Sequence, residues 1–159
     1  MSLKHCYCLD TSFLINGWNK RYRIDVFPTI WTKIEENLGE RAICSCQEVY
    51  DEIQIQRDEL AAWAKKHRAH FHNPSAETLK QLSRVMAQFP NFAAPGGSTN
   101  GADPLVIAQA IVLGAVVVTD EVQANTKPTK PPKIPNACDA MGVRWVSPID
   151  FLKELGLKL

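Results

Sequence analysis

Short apolar runs alternate along this chain with longer stretches of helical periodicity, and few folds accommodate that order. Residues 5–9 (His5-Cys-Tyr-Cys-Leu), Arg41 to Ser45, Ala115 to Thr119 and Val143 to Val146 read as strands. The segments between them carry apolar residues at helical spacing. A helix that returns the chain to the starting edge of a sheet makes successive strands parallel, so the alternation predicts an α/β domain with a mainly parallel sheet. One domain over residues 1–159 suffices, because a chain of 159 residues with 45% hydrophobic content buries a real core without a second unit.

The helices follow from local signals. Phe27, Ile30, Trp31, Ile34 and Leu38 keep helical spacing, with Pro28 suited to a first turn and Gly39 to a stop. Glu48 to Lys66 reads as one long helix, with Val49, Ile53, Leu60, Trp63 and Ala64 on one stripe and Glu48, Glu52 and Gln56 on another. Glu77 to Phe89 reads as a helix ended by Pro90, and Asp103 to Leu113 as one apolar on nearly all sides, hence interior. Phe13 to Gly17 gives a helical turn, and Ser147-Pro148 starts a terminal helix through Leu155. Residues 90–102 have loop composition and offer a candidate substrate flap, and a basic, proline-rich loop runs from Lys127 to Pro135.

The balance of 18 basic and 17 acidic residues argues against a polybasic nucleic-acid tail or membrane segment, though not against a basic rim around an acidic centre. No secretory leader and no membrane-length apolar run are expected. The five cysteines, Cys6, Cys8, Cys44, Cys46 and Cys138, are odd in number and mostly in strands. They fit a reducing cytoplasm better than a disulfide framework.

Function is to be sought in the acids. Asp10 ends the first strand, Asp103 opens the apolar helix, Asp120 and Glu121 follow the third predicted strand, and Glu52 lies on the helix after the second. Ligands of open parallel sheets bind outside the carboxyl ends of the strands, so these acids can converge. Converging carboxylates raise one another's pKa unless a divalent cation neutralises them, which points to Mg²⁺ or Mn²⁺ and to phosphate chemistry. Each acid has a plainer role open to it: Asp10 and Asp103 as helix N-caps, Glu48 and Glu52 as solvated surface groups. Asp120 and Glu121 are adjacent, so only one is expected to point inward.

A zinc site from Cys6/Cys8, Cys44/Cys46 and His67, His70 and His72 is disfavoured. Cys-x-Cys in a strand places small hydrophobes on one face, and the spacing is too short for a zinc knuckle. The histidines read as surface structure at a helix end.

At Leu9-Asp10-Thr11-Ser12, Asp51-Glu52-Ile53, Ala102-Asp103-Pro104-Leu105 and Val118-Thr119-Asp120-Glu121 the chain resembles PIN-domain proteins, in particular those related to VapC-type toxins. Asp58-Glu-Leu-Ala-Ala-Trp and Lys133-Ile-Pro-Asn-Ala-Cys extend the similarity over nearly the whole chain. The resemblance implies a three-layer αβα PIN-like fold with a sheet of four or five strands, and a metal-dependent ribonuclease site. Carried over by position, it implies Asp10, Glu52, Asp103 and Glu121 as catalytic and metal-binding acids, with glutamate at the fourth position where aspartate is commoner. Thr11, Ser12, Thr119 and Asp120 fall at supporting positions. It also implies an antitoxin protein as partner and a homodimer.

The expected activity is hydrolysis of RNA by water activated on one or two Mg²⁺ or Mn²⁺ ions. Arg21, Arg23, Lys127, Lys130 and Lys133 are candidate contacts to the RNA backbone. The alternative is a PIN-fold binding module with weak or no catalysis that acts through a protein or RNA partner. A phosphatase is disfavoured because Asp10-Thr11-Ser12 lacks the second aspartate of an Asp-x-Asp motif.

Overall fold

The computed structural model describes residues 3, 5–39, 42–93, 102–123 and 132–158, with backbone alone at 93, 102 and 103. Five parallel strands form one sheet: β1 (Tyr7–Leu9), β2 (Ile43–Cys46), β3 (Phe71–His72), β4 (Val116–Val118) and β5 (Trp145–Val146). Their spatial order is β3-β2-β1-β4-β5. Registers such as Cys8 with Cys44 and Cys8 with Val117 fix β1 at the centre, where Tyr7, Cys8 and Leu9 are all buried. The chain order reverses across β1, so the crevice between the carboxyl ends of β1 and β4 is the topological switch point at which such sheets bind ligands.

Helices cover the sheet: α1 (Thr11–Asn16), α2 (Pro28–Glu36), α3 (Gln47–Ile55), α4 (Glu59–Lys66), α5 (Ala76–Gln88), α6 (Ala102–Leu113), α7 (Ile134–Met141) and α8 (Pro148–Glu154). Together they make the three-layer α/β arrangement expected from the sequence. Helix α6 has almost no polar face and packs against β1 and β2. Its Gln109 is buried, and the amide donates to the Ser45 carbonyl at 2.7 Å while lying 3.7 and 3.6 Å from the sulfurs of Cys8 and Cys44. On the other face the rings of Tyr7, Phe13 and Phe151 meet, with Phe151 5.1 Å from Tyr7 and 5.4 Å from Phe13. Trp31 stacks edge-on against both Trp18 and Trp63. No helix among the described residues is long and apolar enough to cross a membrane.

The structure departs from the sequence expectations in four places. The predicted helix from Glu48 to Lys66 is broken into α3 and α4, because Arg57 adopts a positive φ of 51° and Asp58 caps α4 by accepting from the Ala61 N–H at 3.0 Å. The histidine-rich segment is not a helix end alone. A 3₁₀ turn at Arg68–His70 leads into β3, whose two residues pair with Ser45 and Cys46. Helix α1 does not stop at Gly17 but runs on as a π-helical turn, Gly17–Arg21, closed by Tyr22 N–H to Gly17 O at 2.8 Å. Finally, the basic loop gives way at Ile134 to α7, which ends at Gly142 in the left-handed region where glycine is favoured.

Candidate active site at the carboxyl edge of the sheet

Asp10 leaves β1 at the switch point and is 1% exposed. Its side chain makes no helix-capping hydrogen bond to α1. Instead Oδ2 accepts from the hydroxyls of Ser12 at 2.5 Å and Thr119 at 2.9 Å, while Oδ1 is buried without a partner. Burial pushes the Asp10 pKa above its ordinary value, and the two hydroxyls with the Thr11 and Ser12 N–H groups oppose that rise.

The same hydroxyls shape the exit from β4. Ser12 Oγ accepts from the Asp120 N–H at 3.0 Å, and Thr119 Oγ1 accepts from the Glu121 N–H at 3.1 Å. Each hydroxyl thus gives its proton to Asp10 and takes one from the backbone that follows β4, locking the two strand ends together.

Asp120 and Glu121 diverge. The Asp120 carboxylate takes an amide hydrogen bond from Asn16 at 2.8 Å and a 3.2 Å contact from Arg21. Glu121 has its pKa pushed up to about 6, first by burial and then by the Asp10 charge, with Lys133 and the Ile134 N–H of α7 pulling the other way. Lys133 Nζ lies 4.0 Å from Glu121 Oε1.

Glu52 projects from α3. Neither of its buried oxygens has a hydrogen-bond partner, nor has the neighbouring Thr11 Oγ1, although that hydroxyl is close enough to favour the ionised form. Burial raises the Glu52 pKa, and the Asp10 charge adds to the rise. Asp10 therefore acts on both Glu52 and Glu121. Asp103 occupies the first turn of α6, and its side chain lies outside the described residues. Lys127 and Lys130 likewise lie outside them. Arg23 spends two donors on Asp25, at 3.1 and 2.8 Å, in an exposed local pair.

One group at this edge, Asn16, escaped the sequence reading, and another, Glu48, was weighed there beside Glu52 without being assigned to the site. Asn16 binds Asp120, and only its position four residues after Ser12 on a helical turn hinted at that face. Glu48 has one buried, unpartnered oxygen and a pKa raised by burial and then by Asp51. The sequence alone left it level with Glu52.

The donors that face one another here are carboxylate and hydroxyl oxygens, the chemistry preferred by hard divalent cations. Three unpartnered buried carboxylate oxygens, on Asp10 and Glu52, carry a desolvation cost that a bound cation would relieve, so these residues fit such an ion. Among the described side chains, which do not include that of Asp103, no three His, Cys, Asp or Glu groups come close enough to hold a metal. No disulfide joins the cysteines, and among the described residues they form no such group.

Comparison with solved structures places the fold. Chains from VapBC complexes match at 13 to 16% identity. One is VapBC2 from Rickettsia felis bound to a DNA fragment from its promoter (13% identity, 89% of this chain and 98% of that chain covered, TM-score 0.52). DNA-bound VapBC from Salmonella typhimurium (16%, 91% and 98%, TM-score 0.54) and VapBC-1 from nontypeable Haemophilus influenzae (14%, 91% and 98%, TM-score 0.54) are alike in extent. The matching chains are VapC toxins, which are PIN domains. No curated protein sequence matches the chain. A family model spans residues 7–159, and so the chain, PIN-like in fold, belongs to the family described as a domain of unknown function, DUF4411.

Proposed function

We propose that this protein is a metal-dependent endoribonuclease that hydrolyses RNA phosphodiester bonds with Mg²⁺ or Mn²⁺, as the toxin of a toxin–antitoxin pair. The observation that carries the reading is the buried, unpartnered oxygen of Asp10 at the switch point, with Glu52 and Glu121 both raised in pKa by burial first and by the Asp10 charge after it. Asp10, Glu52 and Glu121, with Asp103 at the start of α6, are the residues that would hold the cation. The bound cation supplies a water of lowered pKa and a counter-charge for the phosphate.

The remaining work falls to the chain itself. Ser12 and Thr119 fix the Asp10 carboxylate by donating to one oxygen and leaving the other open. Glu121, whose pKa burial and the Asp10 charge push up to about 6 in the metal-free chain, is a carboxylate that a cation would hold in its ionised form. Arg21, Arg23 and Lys133, with Lys127 and Lys130 of the basic segment, are the candidate cations for the RNA backbone. The kinship in fold with chains of VapBC complexes supports an antitoxin partner, and the homodimer belongs to the same reading.

The test is incubation of single-stranded and structured RNAs with the parent protein and Asp10→Asn, in Mn²⁺ and in EDTA. Cleavage by the parent in Mn²⁺, abolished by EDTA and reduced at least about a hundredfold in Asp10→Asn, is expected; a loss of that size corresponds to about 2.7 kcal/mol of transition-state stabilisation. Cleavage that persists in EDTA overturns the metal-dependent mechanism. Absence of cleavage on every RNA favours a PIN-fold binding module acting through a partner.

A further inference from the structure

Asn16 and Arg21 lie five residues apart and grip the two oxygens of one carboxylate: Asn16 Nδ2 donates to Asp120 Oδ2 at 2.8 Å, and Arg21 Nη2 sits 3.2 Å from Asp120 Oδ1. In an α-helix, residues five apart point about 140° away from each other. The π-helical turn at Gly17–Arg21, with its i to i+5 hydrogen bond, widens the helix and swings Arg21 round towards the face of Asn16. Trp18, buried against Trp31 and Trp63, anchors that turn in the core.

The two partners are unequally used. The Asp120 side chain is 9% exposed and fully engaged, whereas the Arg21 side chain is 58% exposed. A guanidinium has five N–H donors, and one contact to Asp120, whose own N–H is bound to the Ser12 hydroxyl that donates to Asp10, leaves others for a ligand. Arg23 contrasts with it, because that side chain closes two donors on Asp25. Lys133 approaches Glu121, so the adjacent residues Asp120 and Glu121 each draw in one cation.

We propose that Asp120 is a positioning residue rather than a fourth metal ligand, and that with Asn16 and the π-helical turn it holds Arg21 as a clamp for a backbone phosphate of the RNA strand entering the acidic site. The proposal rests on the ribonuclease reading for its substrate class. A polyanion approaching Asp10, Glu52 and Glu121 is repelled by them, and a fixed guanidinium at the rim offsets that repulsion without filling the metal position. Arginine suits the role because its planar fork meets phosphate oxygens with several parallel donors.

The experiment measures binding of a fluorescent single-stranded RNA by anisotropy in EDTA over a series of salt concentrations, for the parent, Arg21→Ala and Asp120→Asn. The slope of log affinity against log salt should shrink by about 0.7 in Arg21→Ala, the loss of one phosphate contact on a single strand. Asp120→Asn removes a negative charge from the rim. Simple electrostatics would then tighten RNA binding, whereas loss of a positioning group weakens it, and weaker binding is expected. Thermal melts accompany each variant, with the Mn²⁺-induced rise in Tm expected to stay as in the parent. Unchanged RNA affinity and slope in Arg21→Ala overturns the clamp, and tighter binding in Asp120→Asn overturns the positioning role. Loss of the Mn²⁺ shift in Asp120→Asn makes Asp120 a ligand and overturns it as well. A parent with no Mn²⁺ shift that still binds RNA through Arg21 would sink the metal reading alone, and a parent that binds no RNA sinks both.

Discussion

The half-buried carboxylate of Glu121 sits between opposing charges, and Asp10 together with burial wins over Lys133, lifting its pKa from 4.5 to about 6. A group whose pKa is higher in the folded state binds its proton more tightly there, so protonation favours folding. In metal-free protein the contribution of Glu121 is therefore most favourable below about pH 4.5 and is lost as pH rises through about 6. Glu121→Gln, which cannot ionise, should gain on the parent across that window, by no more than about 2 kcal/mol at pH 7. Urea melts of both proteins in EDTA at pH 4.5 and pH 7 check this; a stability difference that does not change with pH would remove Glu121 from the field of Asp10. At this scale the sequence was most legible in its strand ends: the position of Asp10 after β1 and of Thr119-Asp120-Glu121 after β4 was readable from apolar runs and their stops. What could not be read was the pairing of Asp120 with Asn16 and Arg21, brought to it by a π-helical turn with no signature in periodicity.

Among the elements, the break between α3 and α4 shows how a local rule can be hidden by a global one. Trp63 and Ala64 continue the apolar stripe of Val49 and Ile53 well enough to suggest one helix, and Arg57 carries no glycine to mark its positive φ. Asp58 was the available signal, because an aspartate followed by Glu59 and an apolar run is an N-cap pattern. Asp58→Ala should lower stability by about 1 kcal/mol through the lost bond to the Ala61 N–H. A denaturant midpoint unchanged from the parent would mean that α4 is held by packing alone. Strand β3 was missed for a related reason: two residues, Phe71 and His72, are too few to show alternation, and their strand state comes from pairing with Ser45 and Cys46. Helix α7 was missed because proline and lysine dominate the approach to it, although Pro135 at the second helical position fits a first turn.

For the molecule as a whole, the alternation of strand and helix was enough to give parallel pairing, while the spatial order β3-β2-β1-β4-β5 was not contained in any local pattern. That order emerges from burial: β1 and β4 are apolar on both faces and take the middle, and the two-residue strands β3 and β5 take the edges. Three of the four tryptophans sample this core, from the π-helical turn, α2 and α4, and the fourth, Trp145, reports from the edge strand β5. Unfolding followed by tryptophan fluorescence and by far-ultraviolet circular dichroism should accordingly give one coincident transition. Separate midpoints would show that the layers around the aromatic cluster unfold independently and would count against a single domain.

Cys46 ends β2 and Cys138 lies within α7; both are fully buried, and burial holds both thiols firmly in the protonated form. A thiol in that state is inert to alkylating reagents until the backbone around it opens, so each cysteine works as a clock for the opening of its own element. The fields of Asp10 and Glu121 reach Cys138, and that of Asp10 reaches Cys46. Anything that seats between those carboxylates should slow both clocks together, which gives the protein a built-in readout of occupancy that requires neither a substrate nor a turnover.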